Sequence, residues 1–225
     1  MEILRGPAGL APVAGASVVA IGNFDGVHRG HQALVAAVVS AAERLEAVPT
    51  VLTFEPHPRE WLALRGEVGG PPPARLQRLR EKSPVLEELG IRRLVVARFN
   101  ERLRRQTPQE FVDRMLVDAL RARHVVVGEG FRFGHRGAGT VDLLRACGRA
   151  AGFSVEALPL ARVGDEVVSS TAVRAALDAG DMARATRLLG RPYAVTARVQ
   201  RGKQHGRTLG YPTLNLRLQR RRVPL

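Results

Sequence analysis

The sequence has little of what secreted and membrane proteins need. It contains one cysteine, Cys147, which excludes an intramolecular disulfide and favours a reducing compartment. No apolar run approaches the roughly 20 residues of a membrane-spanning helix. Glu2, Pro7 and Pro12 interrupt any signal-like apolar core near the start of the chain. We therefore expect a cytoplasmic protein with no membrane partner.

Acidic residues are absent from the last part of the sequence. Eleven of the 35 lysines and arginines, but none of the 21 acidic residues, follow Asp181. The net charge of +14 is thus concentrated in this tail, and the preceding residues are nearly neutral. Lysine is also scarce, since only Lys82 and Lys203 occur, a bias typical of GC-rich codon usage. The arginine excess alone therefore does not indicate nucleic-acid binding.

What is present is the composition and pattern of a globular α/β protein. A chain of 225 residues that is 45% apolar can form one substantial core and an appendage. Apolar, β-branched runs predict strands, and helical spacing predicts helices between them. The predicted strands are 17–21, 49–54, 92–99, 124–127 and 153–158. The predicted helices are 32–42, 74–89 with a break at Ser83-Pro84, 107–121, 140–152, one that starts within 168–174, and 181–189. Alternating strands and helices favour a parallel sheet with helices on both faces.

A glycine-rich loop separates the first predicted strand from the first helix. Residues 22–31 read Gly-Asn-Phe-Asp-Gly-Val-His-Arg-Gly-His. Its glycines let the backbone approach a ligand, and amides at the start of the following helix attract anions. His28 and His31 can donate hydrogen bonds to phosphate oxygens. A zinc site is not expected, because zinc needs three or four ligands and only Asp25 is near in sequence.

A second anion motif precedes the tail. Residues 168–174 read Val-Ser-Ser-Thr-Ala-Val-Arg, which places hydroxyls and amides at a helix start and Arg174 one turn later. As a lone helix cap this string would be ordinary. Together with the glycine loop it predicts a site that grips a polyphosphate from two sides.

Two further segments follow strands and are expected to face the same crevice, because ligands gather at the carboxyl ends of strands in such sheets. Residues 54–58, Phe-Glu-Pro-His-Pro, predict a rigid turn without regular structure. Residues 128–134, Gly-Glu-Gly-Phe-Arg-Phe-Gly, carry two phenylalanines that could stack on a planar ring or simply pack in the core. A surface loop over 66–73 is expected to flank this region.

These motifs together resemble a known family. His-x-Gly-His after a first strand is similar to the nucleotidyltransferase superfamily. The whole loop resembles bifunctional riboflavin kinase/FMN adenylyltransferases, also called FAD synthetases, and the resemblance extends to about Leu216. It implies a Rossmann-like nucleotidyltransferase domain over residues 1–188 and an incomplete riboflavin kinase β-barrel over 189–225. The implied reaction is ATP plus FMN giving FAD and pyrophosphate, with Mg2+ bound to ATP and no protein ligand assigned to the metal.

The resemblance also implies roles for individual residues. The catalytic residues would be His28, His31 and Arg174. The implied ATP contacts are Gly22, Asn23, Phe24, Asp25, Gly30, Ser169, Ser170 and Thr171. The implied flavin contacts are Phe54, Pro56, His57, Pro58, Gly128, Phe131 and Phe133. The sequence departs from the family at Gly130, where Asp or Asn is usual, and at Gly137 and Thr140, which replace the family's arginine and acid.

The tail resembles the opening of the kinase barrel. Its matching motif consists of Gly210, Pro212, Thr213 and Asn215, whereas Ala197 replaces a glycine that is common in the family. Because the resemblance places the kinase's catalytic acid in a later segment and no acid follows Asp181, riboflavin kinase activity is not expected.

Two other functions stay open from the residues. The phosphate motifs do not identify the molecule that accepts the nucleotidyl group, which could be phosphopantetheine or nicotinamide mononucleotide instead of FMN. A non-catalytic member could instead bind nucleic acid through its basic tail. The tail aromatics are only Tyr193 and Tyr211, which argues against a platform for stacking bases.

Overall fold

The computed structural model describes residues 1–6, 12–201, 209–211 and 213–217. Six strands form the central sheet: β1 Glu2–Gly6, β2 Ser17–Ile21, β3 Val48–Glu55, β4 Arg93–Arg98, β5 Ala122–Gly128 and β6 Ser154–Leu158. Two short antiparallel pairs lie outside it: β7 Arg162–Val163 with β8 Glu166–Val167, and β9 Arg198–Gln200 with β10 Asn215–Arg217.

The helices occupy the connections between strands. They are α1 Arg29–Arg44, α2 Pro58–Ala63, α3 Leu79–Glu88, α4 Glu101–Arg104, α5 Pro108–Phe111, α6 Val141–Ala151, α7 Ser170–Asp178 and α8 Met182–Leu189. A π-helical segment, Val112–Ala119, continues α5, and a single 3₁₀ turn spans His135–Gly137. Among the described residues, no helix has the length and apolarity needed to cross a membrane.

The sheet has the order β1-β4-β3-β2-β5-β6, and all its pairs are parallel. The chain builds outward from β2 in one direction through β3 and β4, and in the other through β5 and β6. The order of strands therefore reverses beside β2, and a crevice opens at the carboxyl end of a strand at such a point. The glycine loop begins there, directly after Ile21.

Alternation along β2 divides the core between the two faces of the sheet. Val19 and Ile21 pack with β5, α6 and the π-helical segment, whereas Val18 and Ala20 pack with α1 and α3. All five residues of β2 are buried, which explains why the strand is continuously apolar. A third cluster joins α7 and α8 through Val173, Leu177 and other apolar residues. The Rossmann-like arrangement predicted from the sequence is confirmed.

Three local predictions need correction. The first is an omission: no strand was predicted before residue 17, but β1 pairs with β4 at the edge of the sheet. The predicted break at Ser83-Pro84 is wrong, because α3 continues through Pro84. Only one backbone N–H is lost there, while Leu86, two residues later, is fully buried and holds that part of α3 to the core. Pro58 does not prevent regular structure but begins α2, since proline fits the first helical position.

The strands predicted at 195–199 and 214–218 are present as the shorter pair β9 and β10, which fits a fragment of a barrel. In the predicted kinase motif, Gly210, Thr213 and Asn215 are exposed, and Gly210 has φ +79°. Pro212 and Leu218 lie outside the described residues.

Candidate active site

The glycine loop has a backbone conformation that few sequences tolerate. Phe24 and Val27 have φ of +48° and +40°, in the left-handed region, although both carry side chains and both are fully buried. Gly26 has φ +88°, and a Cβ there would lie 2.8 Å from Leu76 Cδ1. The surrounding core therefore fixes this conformation. Glycine is required at position 26, because its φ is positive and because a Cβ would collide with Leu76.

The loop delivers both predicted histidines to the start of α1. His28 is the N-cap residue and His31 lies in the first turn, with ring centroids 3.7 Å apart in a stacked arrangement. The ring of Phe24 lies 5.0 Å from that of His31. The Nδ1 atoms of both histidines are buried and have no hydrogen-bond partner among the described residues. The two rings form a preorganised pair beside the unpaired N–H groups of a helix start.

Burial keeps both histidines neutral. It lowers the pKa of His28 to about 4, assisted by the positive charges of Arg174 and Arg191 and opposed by Asp25. Burial also holds the pKa of His31 well below 6.5, with smaller contributions from His28 and Lys82. At neutral pH each imidazole therefore carries one N–H that can donate to an anionic oxygen.

The same burial predicts a fall in stability in mild acid. His57 resembles the histidine pair, because burial lowers its pKa to about 4. Between pH 6.5 and 4 the unfolded chain protonates these side chains and the folded chain does not, so the free energy of unfolding falls as pH falls. Each unit of pKa difference contributes about 1.4 kcal/mol. Urea unfolding of wild type and His57→Gln from pH 7 to 4.5 should show a steeper fall for wild type; parallel curves would contradict the expectation.

The second predicted motif contacts the glycine loop. Ser169 caps α7 by accepting from Ala172 N at 3.1 Å, and Ser170 Oγ donates to the Asp25 carbonyl at 2.8 Å. Arg174 forms an ion pair with the Asp25 carboxylate, while Thr171 at the helix start is exposed. The fold therefore brings the two anion motifs together, as the sequence analysis expected of a polyphosphate site.

Asp25 joins these elements through a buried carboxylate. Its side chain is 2% exposed, Oδ1 accepts from Gln77 N at 2.9 Å, and Oδ2 accepts from Leu76 N at 3.2 Å and from Arg174. Both carboxylate oxygens therefore already accept hydrogen bonds from protein groups. No group of three or more His, Cys, Asp or Glu side chains within the described ranges could hold a metal ion.

A cavity of about 800 Å³ opens next to the loop. Its lining includes six of the residues predicted from the sequence: Gly22, Asn23, Phe54, Pro58, Phe131 and Phe133. The rings of Phe131 and Phe133 are nearly parallel, with centroids 5.6 Å apart. Other lining residues that were not predicted as ligand contacts include Phe99, Phe111, Arg104, Arg132 and Arg136. The cavity is an aromatic slot with arginines around it, of a size suited to a small-molecule ligand.

Three predicted flavin contacts do not line this cavity. Pro56 lines a second cavity beside Arg5 and Arg98. His57 is buried as the N-cap of α2, where its Nδ1 accepts from Arg59 N at 3.2 Å. Gly128 ends β5, and a Cβ there would meet no atom within 4 Å. Their roles stay predictions. The predicted ATP contact Gly30 is tightly placed, since a Cβ there would lie 3.3 Å from the His28 ring.

A buried lysine beneath the loop was missed. Lys82 is 3% exposed, and its Nζ donates to the Asn23 carbonyl at 2.6 Å, which also accepts from Thr53 Oγ1 at 3.2 Å. Burial lowers the pKa of Lys82 to about 8. The signal for Lys82 in the sequence was the scarcity of lysine, because a chain that otherwise uses arginine has a lysine at this position.

Comparison with known proteins gives consistent matches. Residues 11–172 match the family model for FAD synthetase, and residues 189–225 match the model for riboflavin kinase. Two similar proteins, each named bifunctional riboflavin kinase/FMN adenylyltransferase, come from Pseudomonas fluorescens and Escherichia coli. They are 44% and 40% identical over all of this chain, which covers 70% and 71% of their lengths.

A solved structure supports the fold. A Streptococcus pneumoniae protein described as a macrolide-efflux protein superposes with a TM-score of 0.82 at 28% identity, covering 96% of this chain and 69% of the other.

Proposed function

Because this chain belongs to the family of bifunctional riboflavin kinase/FMN adenylyltransferases, we propose that it transfers the adenylyl group of ATP to FMN, giving FAD and pyrophosphate. The observation that carries this proposal is the junction at Gly22 and Asn23. These residues belong to the phosphate loop and also line the aromatic cavity. A nucleotide on the loop and a flavin in the cavity would therefore meet at one place.

The histidine pair supplies positioning and charge stabilisation. An oxygen of the FMN phosphate attacks the α-phosphorus of ATP, a new P–O bond forms, and the bond to the bridging oxygen breaks as pyrophosphate leaves. His28 and His31 are neutral N–H donors, so they can stabilise negative charge that develops on phosphate oxygens in the transition state. The reaction needs no covalent nucleophile from the protein, because the two substrates only have to be aligned.

The start of α7 would hold the departing pyrophosphate. Ser170 Oγ donates to the Asp25 carbonyl of the glycine loop, Thr171 follows Ser170 in the first turn of α7, and Arg174 pairs with the Asp25 carboxylate from the next turn. An anion here would interact with a helix N-terminus and with a guanidinium group that is already held in place. We assign the departing pyrophosphate to this side of the site, and contacts with the α- and β-phosphates to the histidines.

The aromatic cavity favours a flavin over the other acceptors. Phe54, Phe131 and Phe133 supply apolar faces suited to a planar ring. The exposed arginines Arg132 and Arg136 supply positive charge for a phosphate. Phosphopantetheine is an extended chain without a ring of this kind, and nicotinamide is a smaller ring than a flavin.

Mg2+ is expected to enter with ATP. Both oxygens of the Asp25 carboxylate already accept hydrogen bonds from protein groups, so we place the ion on phosphate oxygens and water. It would neutralise phosphate charge there, and we assign no protein side chain to it.

The compartment and the domain division are also part of the proposal. We place the reaction in the cytoplasm and assign no role to nucleic acid. The nucleotidyltransferase domain ends at residue 188, and the fragment of the kinase domain begins at residue 189.

One assay tests the reaction and its acceptor. Purified protein is incubated with magnesium-ATP and, separately, with FMN, riboflavin, phosphopantetheine or nicotinamide mononucleotide, and products are identified by mass. We expect FAD and pyrophosphate from FMN alone. A dinucleotide or dephospho-coenzyme A product from another acceptor, without FAD, would overturn the assignment of FMN. A basic tail that binds nucleic acid with steep salt dependence, in a protein that transfers no adenylyl group, would support the non-catalytic alternative.

Gly130 offers a gain-of-affinity test. The family usually has Asp or Asn at this position, and a Cβ on Gly130 would meet no atom within 4 Å. Its φ is also not in the positive range, so a side chain should cause no backbone strain. We expect Gly130→Asp to tighten FMN binding, measured by quenching of flavin fluorescence. Gly130→Ala is the control for the side chain without the carboxylate, and equal or weaker affinity in a folded Asp variant would contradict the expectation.

A further inference from the structure

The segment after α8 reaches back to the phosphate loop. Arg191, one residue beyond the helix cap Gly190, is partly buried, and its two terminal nitrogens contact two consecutive loop carbonyls. Nη2 donates to Gly26 O at 2.8 Å and Nη1 donates to Val27 O at 2.9 Å. A single guanidinium group therefore spans the peptide units directly before His28.

A second side chain ties the same two elements together. Gln32, in the first turn of α1, donates through Nε2 to Val27 O at 2.9 Å and to Leu189 O at 2.7 Å. Arg191 Nη1 also reaches Leu189 O at 3.3 Å. The loop carbonyl and the last carbonyl of α8 thus share the same donors, and the histidine loop and the end of α8 behave as one hydrogen-bonded unit.

The contacts fall where the loop most needs support. Val27 is β-branched and has φ +40°, a strained conformation that persists only where the surroundings enforce it. Relaxation of Val27 would move the next residue, His28, and with it the ring stacked on His31. The donors from Arg191 and Gln32 oppose that relaxation.

We propose that Arg191 is a positioning residue for adenylyl transfer, which holds the Gly26 and Val27 carbonyls so that His28 and His31 stay aligned for the phosphate. Arg191 does this from behind the loop and touches neither histidine ring in the described contacts. The inference rests on the proposed function, because it assigns Arg191 to the same site. It also makes the first residues after α8 part of the support of that site and not a passive connection.

The experiment compares Arg191→Met, Arg191→Lys and the matched control Arg187→Met. Methionine keeps much of the length and removes the donors; lysine keeps the charge but cannot span two carbonyls as a planar fork does. Arg187 is exposed and lies near the end of α8. We expect kcat for FAD formation to fall about 10- to 100-fold in both Arg191 variants, the scale for a small misplacement of catalytic groups. KM for FMN should change less than about twofold, and Arg187→Met should match wild type.

A second measurement does not depend on turnover. The ring signals of His28 and His31 in ¹H–¹⁵N spectra should shift in both Arg191 variants and stay in place in Arg187→Met. Wild-type protein that forms no FAD would defeat the proposed function while the ring signals still test Arg191. Wild-type kcat or unshifted rings in Arg191→Met would overturn the positioning role. Loss of folding in both Arg191 variants would also overturn it, because Arg191 would then be a residue of general stability.

Discussion

Replacing His31 with alanine is expected to lower FAD formation by about 100-fold or more, the scale for losing one donor to a transition state. The His31 ring is stacked on His28 at 3.7 Å and belongs to a neutral pair with no other hydrogen-bond partner for its buried Nδ1 among the described residues. A neutral imidazole carries one N–H, and we assign that N–H to a phosphate oxygen. The expected loss is in kcat more than in KM for FMN, measured by chromatography of FAD at saturating magnesium-ATP.

His124→Ala is the matched control. His124 lies near the amino end of β5, where it contacts Ser154 and Glu156, so it is at the opposite end of the strand from the crevice. Its replacement should leave turnover unchanged. Thermal unfolding of both variants must show that each is folded at the assay temperature. Near-normal turnover in a folded His31→Ala variant would remove His31 from the mechanism.

The sequence predicted the two anion motifs because their chemistry is local. Glycines, paired histidines and the Ser-Ser-Thr helix start are all contained within short strings, and strand order then brings them to one crevice. The structure adds what the strings do not contain, namely that Ser170 and Arg174 contact Asp25 directly. That contact joins residues far apart in sequence, and no local pattern encodes it.

The supporting residues were missed for the same reason. Lys82 and Arg191 act on main-chain carbonyls of the loop, from a helix and from a segment that follows the main fold. A side chain that binds a backbone carbonyl needs no particular partner residue, so its role leaves no paired signal in the sequence. Only the scarcity of lysine marked Lys82 as unusual. The arginines of the aromatic cavity could not be distinguished in the sequence from the many other arginines of this chain.

Local rules also failed where tertiary packing outweighed them. Proline disfavours a helix interior, yet α3 passes through Pro84 because the surrounding core residues, including Leu86, are buried. Strand β1 has exposed and partly buried residues without strong apolar periodicity, and it exists because β4 offers an open edge. Both cases involve structure decided by a neighbour distant in sequence.

Replacing Asp25 with alanine is expected to lower the free energy of unfolding by about 3–5 kcal/mol, the usual cost of breaking a buried ion pair by removing one partner. The Asp25 side chain is 2% exposed and that of Arg174 is 15% exposed, so water cannot easily replace the lost carboxylate. Urea unfolding followed by far-UV circular dichroism gives the measurement. Asp142→Ala, which breaks an ion pair whose acid is 90% exposed, is the control and should change stability very little.

A double-mutant cycle with Arg174→Ala separates the two functions of this carboxylate. If Asp25 served only the ion pair, its loss would cost little once Arg174 is gone. The carboxylate also accepts from Leu76 N and Gln77 N, and each buried amide that loses its acceptor costs roughly 1–3 kcal/mol. Asp25→Ala should therefore remain destabilising in the Arg174→Ala background, by less than in wild type. An equal cost of Asp25→Ala in both backgrounds would show that the ion pair contributes nothing. No cost in the Arg174→Ala background would show that the amides find other partners. Either result would remove Asp25 as the residue that joins the phosphate loop to both α7 and the segment before α3.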